Sequence, residues 1–474
     1  MTWEIDKNRY SDLLRHALLY SEGGKVTRSM GLAFEAHLPG AALGSICQII
    51  TSGDPHAETG VEAEVVGFRD KRVLLMPFED VSGLNNDSLV ILKKKSSTVT
   101  VSESLLGRVL DGRGQPIDGL GSVMRGASHL EERSLYQKPT HPLERMMVKA
   151  PLDLGIRSIN GLLTCGKGQR VGIMAGSGVG KSVLLGMIAR HTQADVNVIA
   201  LIGERGREVR EFIENDLGPE GLKKSVVVVS TSDKSPLLRM RGAFLATSIA
   251  EYFRDQGKDV LLLMDSITRF CMAQREIGLS LGEPPASKGY TPSVFSTIPK
   301  LLERAGMAPK KGSITGLYSV LVEGDDMDDP IADAVRAILD GHIVLSRKIA
   351  QQNRFPAVDI LQSASRVMRA VTSKDHQAWA SQIKDWMATY AQAEDLINIG
   401  AYVKGTSPVI DQAVIVHDRI EQFLRQGIEE GSSMEETLGA MYSIFRSGEA
   451  FLASQQQGPA VQRPQNQSLQ KFRI

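Results

Sequence analysis

The rhythm of apolar and polar positions changes along the chain, and each change marks a different kind of structure. Over residues 1–20, Trp3, Tyr10, Leu13, Leu14, Ala17 and Leu18 fall largely on one side of a helical wheel. Such a face either packs on its own domain or docks on a partner. From about Lys25 to Lys95, short apolar runs (FEAHLPG, SICQII, EAEVVGF, KRVLLMPF, SLVIL) are broken by Gly, Pro, Asn and Asp. That spacing predicts five or six strands in a small β-barrel. Thr98–Arg145 is rich in turns, most clearly in GRVLDGRGQPIDG at Gly107–Gly119, and reads as a connector. Between Leu152 and about Ser373, strand and helix patterns alternate, which predicts a parallel sheet wrapped by helices. Beyond about Asp375 the period is helical (HQAWASQIKDWMATYAQAEDLI, QAVIVHDRIEQFLRQGI, MEETLGAMY). The tail Ser454–Ile474 is too polar to pack and is expected to be disordered. The expected division is a helix at 1–20, a barrel at 21–97, an α/β domain with its connector at 98–375, helices at 376–453 and a tail at 454–474.

Within the alternating region one stretch carries recognisable chemistry, Arg170–Val183, which reads RVGIMAGSGVGKSV. Val171–Met174 fits a buried strand, and Lys181–His191 has the apolar spacing of a helix. Strand, Gly-rich turn, then Lys-Ser opening a helix is the build of a phosphate-binding loop. Gly176, Gly178 and Gly180 let the backbone curl until successive N–H groups point into one concavity. The helix start adds its positive end. The loop Ala175, Gly176, Ser177, Gly178, Val179, Gly180, Lys181 and Ser182 is therefore the expected nucleotide site. Lys181 reaches the phosphates as a point charge, and the Ser182 hydroxyl is a ligand for Mg²⁺. Ala175 stands where the usual pattern has its first glycine, which is tolerable if its φ is negative.

The strands Asn197–Gly203, Ser225–Thr231 and Asp259–Asp265, with helices at Arg207–Leu217 and about Pro236–Gln256, complete the predicted sheet. Ligands in such sheets lie beyond the carboxyl ends of the strands. Glu204 and Asp265 both stand there, beside the phosphate loop. Asp265 is either a helix N-cap or the carboxylate of a Mg²⁺ shell shared with Ser182. Glu204, in GERGRE, is either a surface charge or the group that orients or deprotonates the attacking water. Arg205 and Glu208 are placed to pair with each other. Positive charge for the transition state has two candidates, Arg269 and Arg366, each of which also fits a surface ion pair. Phe355 and Tyr402 sit in loops and fit either adenine stacking or ordinary packing.

Composition narrows the function classes. The chain has 474 residues, enough for two or three domains, and Lys+Arg 55 balances Asp+Glu 55. There is thus no global attraction to nucleic acid or to an anionic membrane. Three scattered cysteines, Cys47, Cys165 and Cys271, make neither a disulfide framework nor a zinc site and suggest the cytosol. The opening MTWEIDKNRY lacks the basic and then apolar pattern of a signal peptide, and no apolar run approaches the roughly 20 residues of a membrane span. A hexameric RNA translocase would need a basic barrel bearing aromatic residues. This barrel is mixed in charge, with Phe34, Phe68 and Phe78 as its aromatics, so no nucleic-acid partner is expected.

The order of barrel, GRVLDGRGQPIDG, LDLGIRSINGLLTCGKGQRVGIMAGSGVGKS, LIGERGREV, LLLMDSITRFCMAQREIGLSLGEPPASKGYTPSVF and DILQSASRVM resembles the rotary-type secretion ATPases, relatives of the F-type ATP synthase α and β subunits. The resemblance runs from about residue 20 to 450, and SITRFCMAQREIGLSLGEPP and KGYTPSVF look most like the flagellar type III export members. It implies a multidomain α/β fold: an N-terminal β-barrel, a central RecA-like P-loop NTPase sheet and a C-terminal helical domain. It further implies ATP hydrolysis with Mg²⁺ in a homohexamer whose sites lie between subunits. By the resemblance, Glu204 matches the catalytic carboxylate, Arg366 an arginine finger donated in trans, Arg269 a phosphate-side arginine and Phe355 an adenine-stacking aromatic. Pro284–Thr291 resembles a loop lining a central pore that holds a coiled-coil stalk protein. The helix at 1–20 matches the segment that binds a peripheral-stalk regulator dimer. A cytoplasmic enzyme brought to the inner-membrane export gate, receiving chaperone–cargo complexes, is the implied setting. The injectisome ATPases are the nearest siblings, and a synthase subunit is a less favoured reading because LGEPPASKGY is export-like.

Overall fold

A computed structural model describes residues 23–50, 60–81, 83–85, 88–123, 129–322 and 329–456. The expected helix at 1–20 and the tail beyond residue 456 lie outside the described residues. Gly23–Met30, Ala33–His37, Ile46–Ile50, Gly60–Arg69, Arg72–Pro77 and Leu89–Lys94 close into a six-stranded barrel. Successive side chains of a strand point to opposite faces, and the inward set, including Val26, Ala36, Ile49, Val65, Leu75 and Val90, forms the barrel's own core.

The central sheet runs in the order Val358–Ser365, Gly341–Leu345, Arg170–Ala175, Ser313–Leu321, Asp259–Asp265, Val196–Ile202, Ser225–Ser230, Val109–Asp111. The pairings along it are parallel except at Val358–Ser365, the antiparallel edge. Its strands are near-continuous apolar runs because both faces are covered. One face packs against the helix Lys181–His191 and the C-terminal helices, through Leu184, Leu185, Trp386, Phe423 and Met441. The other packs against the helices Pro236–Asp255, Ile267–Ser280, Pro292–Leu302 and Pro330–Ile338. The C-terminal helices are Lys374–Asn398, Pro408–Leu424 and Met434–Gln456.

Three details differ from the sequence reading. The turn-rich connector is not wholly irregular: Val109–Asp111 adds the far edge strand of the main sheet, and Thr98–Val101 pairs with Glu131–Ser134. Backbone hydrogen bonds to Val227–Val229 hold that short strand, a long-range pairing invisible in local turn chemistry. The helix expected at Arg207–Leu217 is α-helical over Gly206–Glu211, makes a π-turn over Phe212–Leu217 and continues as Gly218–Lys223. The last helix also extends through Ser454 to Gln456, into the stretch read as tail.

The barrel is fastened to the central domain by buried polar contacts as well as apolar ones. Met76 and Phe78 pack on Leu237, Leu238 and Ile277. Beside them Arg241 pairs with Glu64 at 2.5 Å, both side chains nearly inaccessible. The Tyr136 hydroxyl donates to Glu64 at 2.7 Å, and Arg241 donates to Ser97.

Candidate active site

The site begins where the strand Arg170–Ala175 ends. Ala175 is the last extended residue, and its φ is not positive, so a methyl is accommodated at that position. Gly178 and Gly180 have φ of 80° and 87°, the left-handed region where a side chain is strained. Gly180 is the N-cap of Lys181–His191 and offers no side-chain oxygen to the helix. The first N–H groups of an 11-residue helix are thus left for a ligand. A Cβ on Gly180 would lie 3.6 Å from the Phe355 ring, so Phe355, 42% exposed, stands beside the loop.

The two acids converge on the lysine. Lys181 Nζ donates to Asp265 Oδ1 and lies 3.7 Å from Glu204 Oε1. Asp265 ends its strand as expected; the helix-capping role falls instead to the next residue, Ser266, whose hydroxyl accepts the Arg269 N–H at 3.3 Å. Asp265 Oδ1 also accepts the Ser319 hydroxyl at 2.6 Å. Burial pushes the Glu204 carboxyl up to about 7, and the negative Asp265 adds to the rise. Lys181 opposes it, as does Arg269 more weakly. Glu204 Oε1 and Arg269 Nε are both buried without a hydrogen-bond partner among the described residues. Buried polar atoms are nearly always paired, so two orphans at one cavity mark a place for a polar ligand. Arg205 and Glu208 do pair, at 3.1 Å.

A cavity of about 720 Å³ opens over the loop, within the range of small-molecule sites. Lys181, Ser182, Glu204 and Arg269 line it. So do Arg275 and Lys288, which sequence reasoning passed over; Lys288 lies in the loop read as pore-lining, and nothing in its spacing ties it to the phosphate site. Ser319 was missed for a plainer reason, being one of four hydroxyl residues (Ser313, Thr315, Tyr318, Ser319) in its strand, with nothing local to single it out.

Two aromatic or cationic candidates behave differently from the rest. The Tyr402 hydroxyl lies 3.0 Å from Ser407 O and from Asp411 Oδ1, which makes it a brace for its own loop. Arg366 is exposed at the end of the antiparallel edge strand. Its N–H donates to Asp340 O, and the Asp340 N–H donates to Arg170 O, at the start of the strand whose far end is Ala175. At about 3.3 Å per residue that strand separates Arg366 from the loop by roughly 16 Å. Arg366 is not brought to this chain's own cavity.

The donors suit a hard cation. Hydroxyl and carboxylate oxygens fit Mg²⁺, which is usually held by one or two carboxylates together with substrate phosphates. Among the described residues no cluster of His, Cys, Asp and Glu makes an all-protein metal cage. A phosphate loop at the end of a parallel sheet, a lysine between two strand-end acids and a preceding β-barrel define a P-loop ATPase. The chain matches the ATP synthase alpha/beta family models for the nucleotide-binding domain over 155–365 and for the β-barrel domain over 26–92. It also matches the T3SS EscN ATPase C-terminal domain over 372–443.

The chain belongs to the ATP synthase alpha/beta family, in its branch of flagellum-specific and type III secretion ATPases, and it is an ATPase. It is 51% identical over 425 residues to the flagellum-specific ATP synthase of Bacillus subtilis (90% of this chain, 95% of that one). It is 50% identical to that of Salmonella typhimurium (89% and 93%) and 49% identical to the type 3 secretion system ATPase of Sinorhizobium fredii (88% and 91%). The assembled ATPase EscN of enteropathogenic E. coli superposes with a TM-score of 0.82 at 48% identity, covering 89% of this chain and 99% of that one. EscN in complex with its central stalk EscO gives 0.81 at 47% identity, with the same coverage.

Proposed function

We propose that this chain hydrolyses ATP to energise export of flagellar proteins through a type III apparatus. The observation that carries the chemistry is the convergence of Glu204 and Asp265 on Lys181 beside the glycine-rich loop and the uncapped helix start. In this reading the amides of Gly176–Gly180 and Lys181 hold the β- and γ-phosphates, and Phe355 stacks on the adenine. Ser182 and Asp265 hold Mg²⁺, which when bound draws charge from the phosphate oxygens. Glu204, with its proton affinity raised to the working pH, aligns the attacking water and takes its proton. Arg269 supplies positive charge from within the subunit. Arg366 is exposed at the strand end remote from its own loop, so in this reading it serves a neighbour's site in a homohexamer and neutralises charge as the γ-phosphate leaves.

The remaining assignments rest on the same family. Pro284–Thr291 lines a central pore around a coiled-coil stalk, and residues 1–20 dock on a peripheral-stalk regulator dimer. The enzyme works in the cytoplasm beside the membrane export gate, where it meets chaperone–cargo complexes. Among the described residues no helix is long and apolar enough to cross a membrane, so membrane placement falls to a partner. Identity to the type 3 secretion system ATPase of S. fredii is nearly as high as to the flagellar proteins, which keeps injectisome export as the second reading. The test is replacement of the chromosomal copy by Glu204→Gln. Flagellar subunits should then remain inside cells that accumulate the variant normally. Unchanged flagellar export would refute the proposal, and loss of injectisome secretion alone would favour the second reading.

A further inference from the structure

Asp265 has two donors on one oxygen. Lys181 Nζ and the Ser319 hydroxyl both bond Oδ1, and neither bonds Oδ2. Ser319 lies on Ser313–Leu321, the strand between the one that ends in the phosphate loop and the one that ends in Asp265. Register sets Tyr318 opposite Met264 and Ser319 opposite Ile173. By strand alternation Ser319 shares a face with Leu317, which packs in the core around Lys181–His191. Ser319 is fully buried, opposite Ile173 and next to Asp265. A hydroxyl in such a place is unfavourable unless it has a fixed partner, and its partner here is the site's strand-end acid.

The two donors differ in what a nucleotide does to them. Lys181 stands at the mouth of the phosphate loop, and a polyphosphate competes for its ammonium group. Ser319 has no exposed surface and does not line the cavity, so a bound phosphate does not compete for its hydroxyl as it does for Lys181. We propose that Ser319 is a positioning residue for ATP hydrolysis: when phosphate draws Lys181 away, the Ser319 hydroxyl alone holds Oδ1, so that Asp265 keeps its orientation and presents Oδ2 to the divalent cation. The inference rests on the reading of Asp265 as a cation-shell carboxylate. Groups that orient a metal-binding carboxylate from behind typically carry about 10–100-fold in metal affinity or activity.

The experiment compares full-length wild type, Ser319→Ala, Ser319→Thr, Ser319→Val and Asp265→Asn. Binding of a fluorescent ATP analogue is titrated with MgCl₂ and, separately, in EDTA; hydrolysis is followed against MgCl₂ concentration. Thr and Val have nearly the same shape, so their difference isolates the hydroxyl from any packing change. Ser319→Ala and Ser319→Val should need about 10–100-fold more Mg²⁺ for half-maximal binding and hydrolysis. Their affinity in EDTA should match wild type, and Ser319→Thr should stay near wild type throughout. Equal Mg²⁺ dependence of Thr and Val, or an equal loss with and without Mg²⁺, would overturn the proposal. If Asp265→Asn also left the Mg²⁺ dependence unchanged, the reading of Asp265 itself would fall, a result distinct from failure at Ser319 alone.

Discussion

Replacing Glu204 by Gln should make the nucleotide-free protein more stable and the enzyme nearly inactive, with a pH signature on both. Burial and the neighbouring Asp265 lift the Glu204 carboxyl from its ordinary 4.5 to about 7. Each tenfold change in proton affinity is about 1.4 kcal/mol, so ionised Glu204 costs the fold about 3 kcal/mol. The sign follows from linkage: the folded state holds the proton more tightly than the unfolded chain. The cost is therefore absent below pH 4.5, grows as pH rises and is complete above about 7. Glu204→Gln should raise the thermal midpoint by several degrees at pH 8 and only slightly at pH 5. Activity should run the other way, because the ionised carboxylate is the form that accepts a proton from water. Wild-type kcat/KM should fall below a midpoint near 7, whereas Glu204→Gln should lose about 10²–10⁴ in kcat and the acidic limb with it. The assays are thermal unfolding without nucleotide and steady-state hydrolysis from pH 5.5 to 8.5. An equal stabilisation at both pH values, or a variant keeping half its activity, would refute the reasoning.

Other perturbations separate binding, chemistry and architecture. Arg366→Ala should keep nucleotide affinity and lose about 10³–10⁵ in turnover; mixing it with Lys181→Ala subunits should restore activity, because some mixed interfaces carry both groups intact. Gly180→Ala forces a side chain into φ 87°, at a cost of about 1–2 kcal/mol, and should weaken nucleotide binding more than it lowers the thermal midpoint. Glu64→Ala leaves the buried Arg241 charge without its carboxylate, with only the Ser97 hydroxyl bond remaining, so stability should fall by about 3–5 kcal/mol in denaturant titrations while the fluorescent-nucleotide affinity of the folded fraction is kept.

Much of this architecture was legible because its signals are local. The helix Lys181–His191 and the strand Asp259–Asp265 have the bounds that apolar spacing predicts, and the neighbouring strands differ by one residue at one end or at both. The meeting of Lys181, Glu204 and Asp265 followed from topology alone, since all three stand at one edge of a parallel sheet. What escaped was non-local. Val109–Asp111 reads as a turn segment because its three residues become a strand only against Ser225–Ser230. Ser319 acquires meaning only from the register that sets it beside Asp265. The separation of Arg366 from its own loop required knowing that Val358–Ser365 runs antiparallel, which no residue in that strand announces.

The most direct test of the account is a crystal structure of the chain with Mg²⁺ and a non-hydrolysable ATP analogue. Lys181 Nζ should have left Asp265 for the phosphate oxygens, with the loop amides on those oxygens, the cation between Ser182 and Asp265, and Glu204 facing the terminal phosphate. Phosphates bound away from the loop, or Lys181 still paired to Asp265 beside a fully occupied site, would contradict it.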